Sequence, residues 1–331
     1  MGARKHRLFR VVLGTTMVWA MACERDAQLV SSPAVPAAPT TPAGTGAPSA
    51  SLAPAPVFEA GLVVEDTGGE PRRRLTPAPA PDARQALRLR VDTEAGASTG
   101  GGPTGRMQTP AAEIDLVVVA PGAGPGGLSL EAARSPAVAA RPAAPAPDPS
   151  LVALVESTMV PLVGARGPYA RAAAGPQAWR LDAPPGTTAP AAELLSSVND
   201  ALRNFDLRLP DVDVGAGARW IERVSLGEGP TRLQVTRRVT LTRFGDEGAE
   251  LLVALEIGSA QGGPRAPAVV GASGGVTGRG AGTLVVDPSR PLPVRGALEI
   301  ETRTTHVGGG REDVPGQWAL ETRIRATLVP R

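Results

Sequence analysis

Between Thr231 and Arg243 the chain places apolar residues at alternate positions: Leu233, Val235, Val239 and Leu241 alternate with Arg232, Gln234, Thr236, Arg238, Thr240 and Thr242. Side chains of an extended backbone point to opposite faces in turn, so a period of two specifies a strand with one apolar and one wet face. Only Arg237 breaks the parity. Leu251, Val253, Leu255 and Ile257 continue the pattern, as do Val294, Leu298 and Ile300, and then Trp318, Leu320, Ile324 and Leu328 opposite Glu321, Arg323 and Arg325. Gly227 to Pro230 and Gly245 to Gly248 sit between consecutive runs at hairpin spacing, so sequence neighbours are expected to pair antiparallel. Upstream, Leu87, Leu89 and Val91 alternate with Arg88 and Arg90, and Ile114, Leu116 and Val118 form another run, giving about nine or ten strands.

One segment keeps the other period. From Ala191 to Phe205, Leu194, Leu195, Val198, Ala201, Leu202 and Phe205 fall at helical spacing, behind a Pro190 whose missing N–H is harmless in a first turn. The expected fold is mainly β: a curved antiparallel sheet or open half-barrel with this one amphipathic helix packed on its apolar face. A single helix leaves room for part of the concave face to stay uncovered, the one structural hint of a ligand.

The first 22 residues have a different character. Arg4, Lys5, Arg7 and Arg10 precede an apolar stretch from Val11 to Ala22 that ends in small residues, the layout of a secretory signal. A stretch of 12 residues falls well short of the roughly 20 needed to cross a bilayer as a helix. Ala20-Met21-Ala22-Cys23 resembles the lipobox of bacterial lipoproteins, with Ala20 where that family prefers Leu. The resemblance implies diacylglyceryl on Cys23 and cleavage before it. Cys23 is the only cysteine, so no disulfide can form within one chain. Residues 24 to 56 are mostly Pro, Ala, Ser, Thr and Gly, with too little apolar surface to offset their ordering entropy. Such a tether spans ~30 Å as a coil. The expected organisation is a signal peptide over 1–22, a lipidated N-terminus and tether over 23–56, and a β-rich domain over 57–331. A flexible internal loop is expected near 135–149 and the helix near 190–205. Acyl chains on Cys23 make the membrane the first expected partner, on the periplasmic or cell-surface side.

After the helix comes Leu209-Pro210-Asp211-Val212-Asp213-Val214-Gly215-Ala216-Gly217-Ala218-Arg219-Trp220. With Gly280 to Asp287 and Pro291-Leu292-Pro293, this resembles a family of uncharacterised exported bacterial proteins carrying a Val-Gly-x-Gly-Ala-x-Trp turn ahead of a strand meander. The resemblance covers about residues 190 to 329 and implies a fold but no activity. Gly215 and Gly217 are expected to form a tight turn with positive backbone angles, and Trp220 to seal a sheet edge.

Several motifs suggest chemistry. Gly122 to Gly127 satisfies GxGxxG after a strand-like run and before a helical-looking Leu128 to Arg134, but an Ala/Pro segment follows where a dinucleotide fold needs a second buried strand. Gly271-Ala272-Ser273-Gly274-Gly275 matches GxSxG, yet a nucleophile elbow must feed a helix and glycines come next. Its base would be His306, in phase with Leu298 and Ile300 and more simply the polar end of a core face. Asp211, Asp213 and Glu222 hold positions one, three and twelve of a calcium loop whose fifth and sixth residues, Gly215 and Ala216, are wrong; turn and strand-surface roles are the plainer expectation. Arg72, Arg73 and Arg74 form the only basic cluster after the leader, expected in a solvated loop.

Net charge is +2, but four of the 34 basic residues lie in the leader, leaving 30 against 32 acidic ones. No basic stripe remains for a nucleic acid. With one Cys, two His and few aromatic residues, neither a cofactor nor a metal is expected. The expected function is therefore a non-enzymatic, lipid-anchored envelope protein acting as an interaction or structural module. Its rivals are a carrier of a lipid or other apolar ligand on the concave face and a Ser273 hydrolase.

Overall fold

The computed structural model describes residues 61–331 apart from 77, 100–101, 104–106, 123–125, 137–146, 169–179, 227–232, 260–272 and 308–316. The leader, Cys23, the tether, Gly227 to Pro230 and most of the internal Ala/Pro segment lie outside the described residues. Residues Glu59–Arg331 form one compact unit.

Within it run β1 (Gly61–Asp66), β2 (Arg84–Thr99), β3 (Gly102–Pro103), β4 (Met107–Gln108), β5 (Ala112–Val119), β6 (Gly127–Arg134), α1 (Pro149–Met159), β7 (Arg166–Pro168), α2 (Ala189–Phe205), β8 (Arg219–Leu226), β9 (Leu233–Gly245), β10 (Gly248–Ser259), β11 (Ser273–Val286), β12 (Arg295–Val307) and β13 (Gln317–Pro330). All strands join one antiparallel, unclosed sheet in the order β1-β8-β9-β10-β11-β12-β13-β2-β5-β6-β7, with β3 and β4 attached to β2. The meander from β8 to β13 holds the alternating runs of the sequence in β9, β10, β12 and β13, each strand paired with the next. β13 then returns to β2, which carries the first-half strands.

The alternation places one apolar row after another on the same face. Leu241, Leu251, Leu284, Leu298, Leu328, Leu89 and Leu116 are all buried in a single core shared with α2. Helix α2 contributes Ala191, Leu195, Val198, Ala201, Leu202 and Phe205, the periodic residues that define it in the sequence. Its buried Asn199 acts as a strand substitute, accepting from Leu181 N–H at 2.9 Å and donating to Leu181 C=O at 3.0 Å. The helix thus packs its apolar side on the apolar face of the sheet.

Close packing of the sheet on this face has a local cause in β11. Gly278, Gly280 and Gly282 take the core-facing positions there, and a β-carbon on Gly282 would lie 2.0 Å from Ala297 O and 2.6 Å from Leu298 Cδ2. Without those side chains, residues of β10 and β12 close over β11. At Gly296 of β12 the space is taken by Leu284, whose side chain would lie 2.4 Å from a β-carbon, and by the Phe205 ring of α2 at 2.8 Å.

Three expectations need correction. Leu128 to Arg134 is strand β6, the antiparallel partner of β5, so Gly122 to Gly127 links a hairpin and not a crossover to a helix. Its apolar side chains Leu128 and Leu130 alternate and are buried, and sheet pairing overrides helical propensity. Among the described residues the sheet has 13 strands rather than about nine or ten; β3, β4 and β7 are too short to show a period. Finally, a second helix, α1, accompanies α2. Asp148 caps it by accepting from Ser150 N–H at 2.9 Å, and Val152, Val155 and Met159 are buried, the last two in a small cluster with Ala112 of β5. That Asp-Pro start and i, i+3, i+7 spacing was the signal available in the sequence.

Candidate functional site

Arg237, the parity breaker, points into the core and is 1% exposed. Its Nη1 donates to Asp206 C=O at 2.7 Å and pairs with Glu222 Oε2 at 3.0 Å, while Nη2 donates to Arg203 C=O at 2.9 Å. These carbonyls close the C-terminal end of α2, where the helix dipole and unsatisfied oxygens favour a cation. Glu222, 3% exposed on β8, also accepts from Arg208 N–H at 3.3 Å. Its expected place on a strand surface is therefore corrected: it is a core residue, taken out of any calcium loop by its pairing with Arg237. Asp211 and Asp213 remain exposed in the bend before it. Among the described residues no group of three or more His, Cys, Asp or Glu is placed to hold a metal ion.

The Leu-Pro segment leads into a backbone clasp. Gly217 has φ +87°, the positive angle expected of it. The positive angle expected of Gly215 is not found, and it is glycine for another reason: a β-carbon there would fall 1.6 Å from Gly69 O. The loop after β1 lies across it, with Gly215 N–H donating to Thr67 C=O at 2.8 Å and Gly69 N–H to Ala216 C=O at 2.9 Å. Trp220 is fully buried on β8, one strand in from the edge, and its Nε1 donates to Arg208 C=O at 3.2 Å. In the same loop, exposed Arg72 donates to Gly68 C=O and Arg73 stacks 5.0 Å from the Phe244 ring centre. The basic cluster is partly engaged in holding its own loop.

Ser273 opens strand β11 and stands in backbone register with His306 of β12. It does not sit at a strand-to-helix turn, since β11 runs on to Val286.

A cleft lies on the outward face, over β11, β12, β13 and β2. It encloses about 420 Å³. Because partners in a ladder share a face, register writes its walls directly. One row is Arg279, Glu301, Arg323 and Glu94; the next is Thr277, Arg303, Glu321 and Gly96. Gly278, Thr302 and Thr322 lie between the rows. The first row is knit by Arg279 Nη2 to Glu301 at 3.4 Å and Arg323 Nε to Glu301 at 3.5 Å. Arg323 also donates from Nε and Nη2 to Glu299, and Arg325 Nε donates to Glu299 at 2.6 Å. The bond from Arg325, with that from Arg323, holds the Glu299 carboxyl below the usual carboxylate range despite partial burial. In return Glu299 raises the Arg323 guanidinium above its ordinary value.

The network continues along the outward face. Arg88 meets Asp115 at 2.8 Å, Arg134 meets Glu113 at 3.0 Å, and Arg331 meets Glu131 at 2.7 Å. Burial pushes the Asp115 carboxyl up, but the Arg88 hydrogen bond and the charges of Arg134 and Arg331 more than reverse this and hold it low. All these cations are Arg, whose planar fork holds carboxylates in fixed geometry. Sequence reasoning identified Glu321, Arg323 and Arg325 as a wet strand face but not as a cleft wall, because their partners are set by cross-strand register. The available signal was charge at alternate positions in both Glu299-Ile300-Glu301 and Glu321-Thr322-Arg323-Ile324-Arg325.

Comparison with known proteins finds no matching family model and no matching characterised relative. Among the described residues no helix is long and apolar enough to cross a membrane.

Proposed function

We propose that this chain is a lipid-anchored cell-envelope protein whose β-rich body is a non-enzymatic interaction module working through its charged outward face. The anchor rests on sequence: a charged and apolar leader, a lipobox-like Ala-Met-Ala-Cys ending at the only cysteine, and a Pro/Ala-rich tether. Two acyl chains make such anchoring stable, since each buried methylene contributes roughly 0.8 kcal/mol.

One observation carries the module reading: α2 packs on the apolar face of the sheet, and a cleft of about 420 Å³ lies on the opposite face among Arg and Glu side chains. A carrier of an apolar ligand needs the reverse arrangement, an uncovered apolar lining. A serine hydrolase needs an elbow feeding a helix, and Ser273 lies in a strand that continues for thirteen more residues.

The test is the intact mass of the mature N-terminus together with membrane fractionation of Cys23→Ala. Diacylglyceryl on Cys23, and release of the variant from the membrane fraction, are expected. An unmodified thiol, or a mature chain starting elsewhere, overturns the anchor.

A further inference from the structure

We propose that the outward cleft binds a neutral, polyhydroxylated chain, an oligosaccharide segment. This rests on reading the β-rich body as a binding module, and not on the anchor.

The argument begins with the pattern of charge. Glu301 and Arg323 on one row, with Arg303 and Glu321 on the next, form a square in which each corner faces opposite charges along and across the strands. The fields of such a square cancel with distance, so it neither steers nor accumulates a polyanion or a polycation. At contact it does something else. Carboxylate acceptors and guanidinium donors stand side by side, and the ion pairs around Glu301 and Arg323 limit how far they can swing. Adjacent hydroxyls of a sugar ring each donate and accept, so one can donate to a carboxylate while its neighbour accepts from a guanidinium.

Other occupants fit less well. Strands β11, β12 and β13 are interior to the sheet, with backbone groups committed to ladders on both sides, so a peptide cannot add to them as a further strand. A lining of Gly, Thr, Glu and Arg offers a peptide no apolar anchor and a quaternary ammonium headgroup no aromatic cage. The volume of about 420 Å³ falls in the usual range for small-ligand sites.

Arg303 makes the idea testable. It lines the cleft, is exposed, and forms no ion pair among the described residues, so its head group adds nothing evident to the fold. The mature chain is titrated by calorimetry and backbone-amide NMR with neutral tetrasaccharides built from glucose, mannose and N-acetylglucosamine. The expected result is saturable binding of at least one probe with Kd below about 1 mM. Shifts should centre on Gly96, Gly278, Thr302 and Thr322, and affinity should change less than about threefold between low and high salt. Arg303→Gln is expected to weaken binding about tenfold with the unfolding temperature unmoved. No saturable binding to any probe, equal binding by Arg303→Gln, or binding only to polyglutamate or polylysine that salt abolishes would overturn the proposal. The anchor test reads a different part of the chain, so an unacylated protein that binds sugar fails there alone.

Discussion

Arg237→Met should unfold this protein more readily than almost any other single change to a polar residue. The wild-type guanidinium is 1% exposed and makes three short contacts, to Glu222 and to the Arg203 and Asp206 carbonyls. Met fills much of the volume, so the loss is electrostatic: Glu222, 3% exposed, becomes a buried carboxylate without its cation. Breaking a buried pair from one side costs about 3–5 kcal/mol. At roughly 2–4 °C per kcal/mol for a domain of this size, the unfolding temperature should fall by roughly 6–20 °C. Glu222→Leu alone should cost somewhat less, about 2–4 kcal/mol, because Arg237 keeps both helix carbonyls. In the double variant no charge is buried, and the remaining loss is the donor to two α2 carbonyls, about 1–3 kcal/mol. Urea denaturation followed by circular dichroism measures all three. The double variant should be more stable than Arg237→Met, with a coupling of at least about 1 kcal/mol. Simple additivity of the single effects, or a cost below about 1 kcal/mol for Arg237→Met, would refute the reasoning.

Further predictions concern backbone space and acid. Gly215→Ala places a β-carbon 1.6 Å from Gly69 O and must open the clasp, at a cost of about 1–3 kcal/mol by thermal unfolding; Gly217→Ala, at φ +87°, should cost about 1–2 kcal/mol for a different reason, the left-handed angle. Gly282→Ala crowds Ala297 O and Leu298 and should destabilise by about 1–3 kcal/mol, whereas Gly61→Ala, with nothing within 4 Å, should be close to neutral. Glu299 and Asp115 have lowered folded-state pKa values, so their stabilisation is complete above the unfolded-chain value of roughly 4 and disappears as pH falls through the lower folded value. Carboxyl NMR titrations should place both midpoints below those of exposed Asp and Glu. Midpoints at or above the ordinary values would contradict the ion-pair geometry.

How far the fold was legible depended on period. Strands β9, β10, β12 and β13 and helix α2 could be read in outline because burial on one face forces a repeat of two or of 3.6 on the residues themselves. Leu87, Leu89 and Val91, or Leu195, Val198 and Leu202, carry that repeat without reference to any other part of the chain. Segment 128–134 did not yield to the same treatment, since its Ala-rich end favours a helix locally and only pairing with β5 makes it a strand.

The candidate site was less visible. Arg237 stood out as a fault in an otherwise regular pattern, but the sequence does not say that the fault lies beneath the last carbonyls of α2 and beside Glu222 from another strand. The charges of the cleft were each visible as strand-face residues. Their assembly into rows depends on β13 pairing with β2, more than two hundred residues apart. Periodicity is a local property, set by which face of one element avoids water, and so the linear chain contains it. Register between distant strands and the seat of a helix are settled by packing of the whole body, where a single polar group finds its partner only after the core has closed.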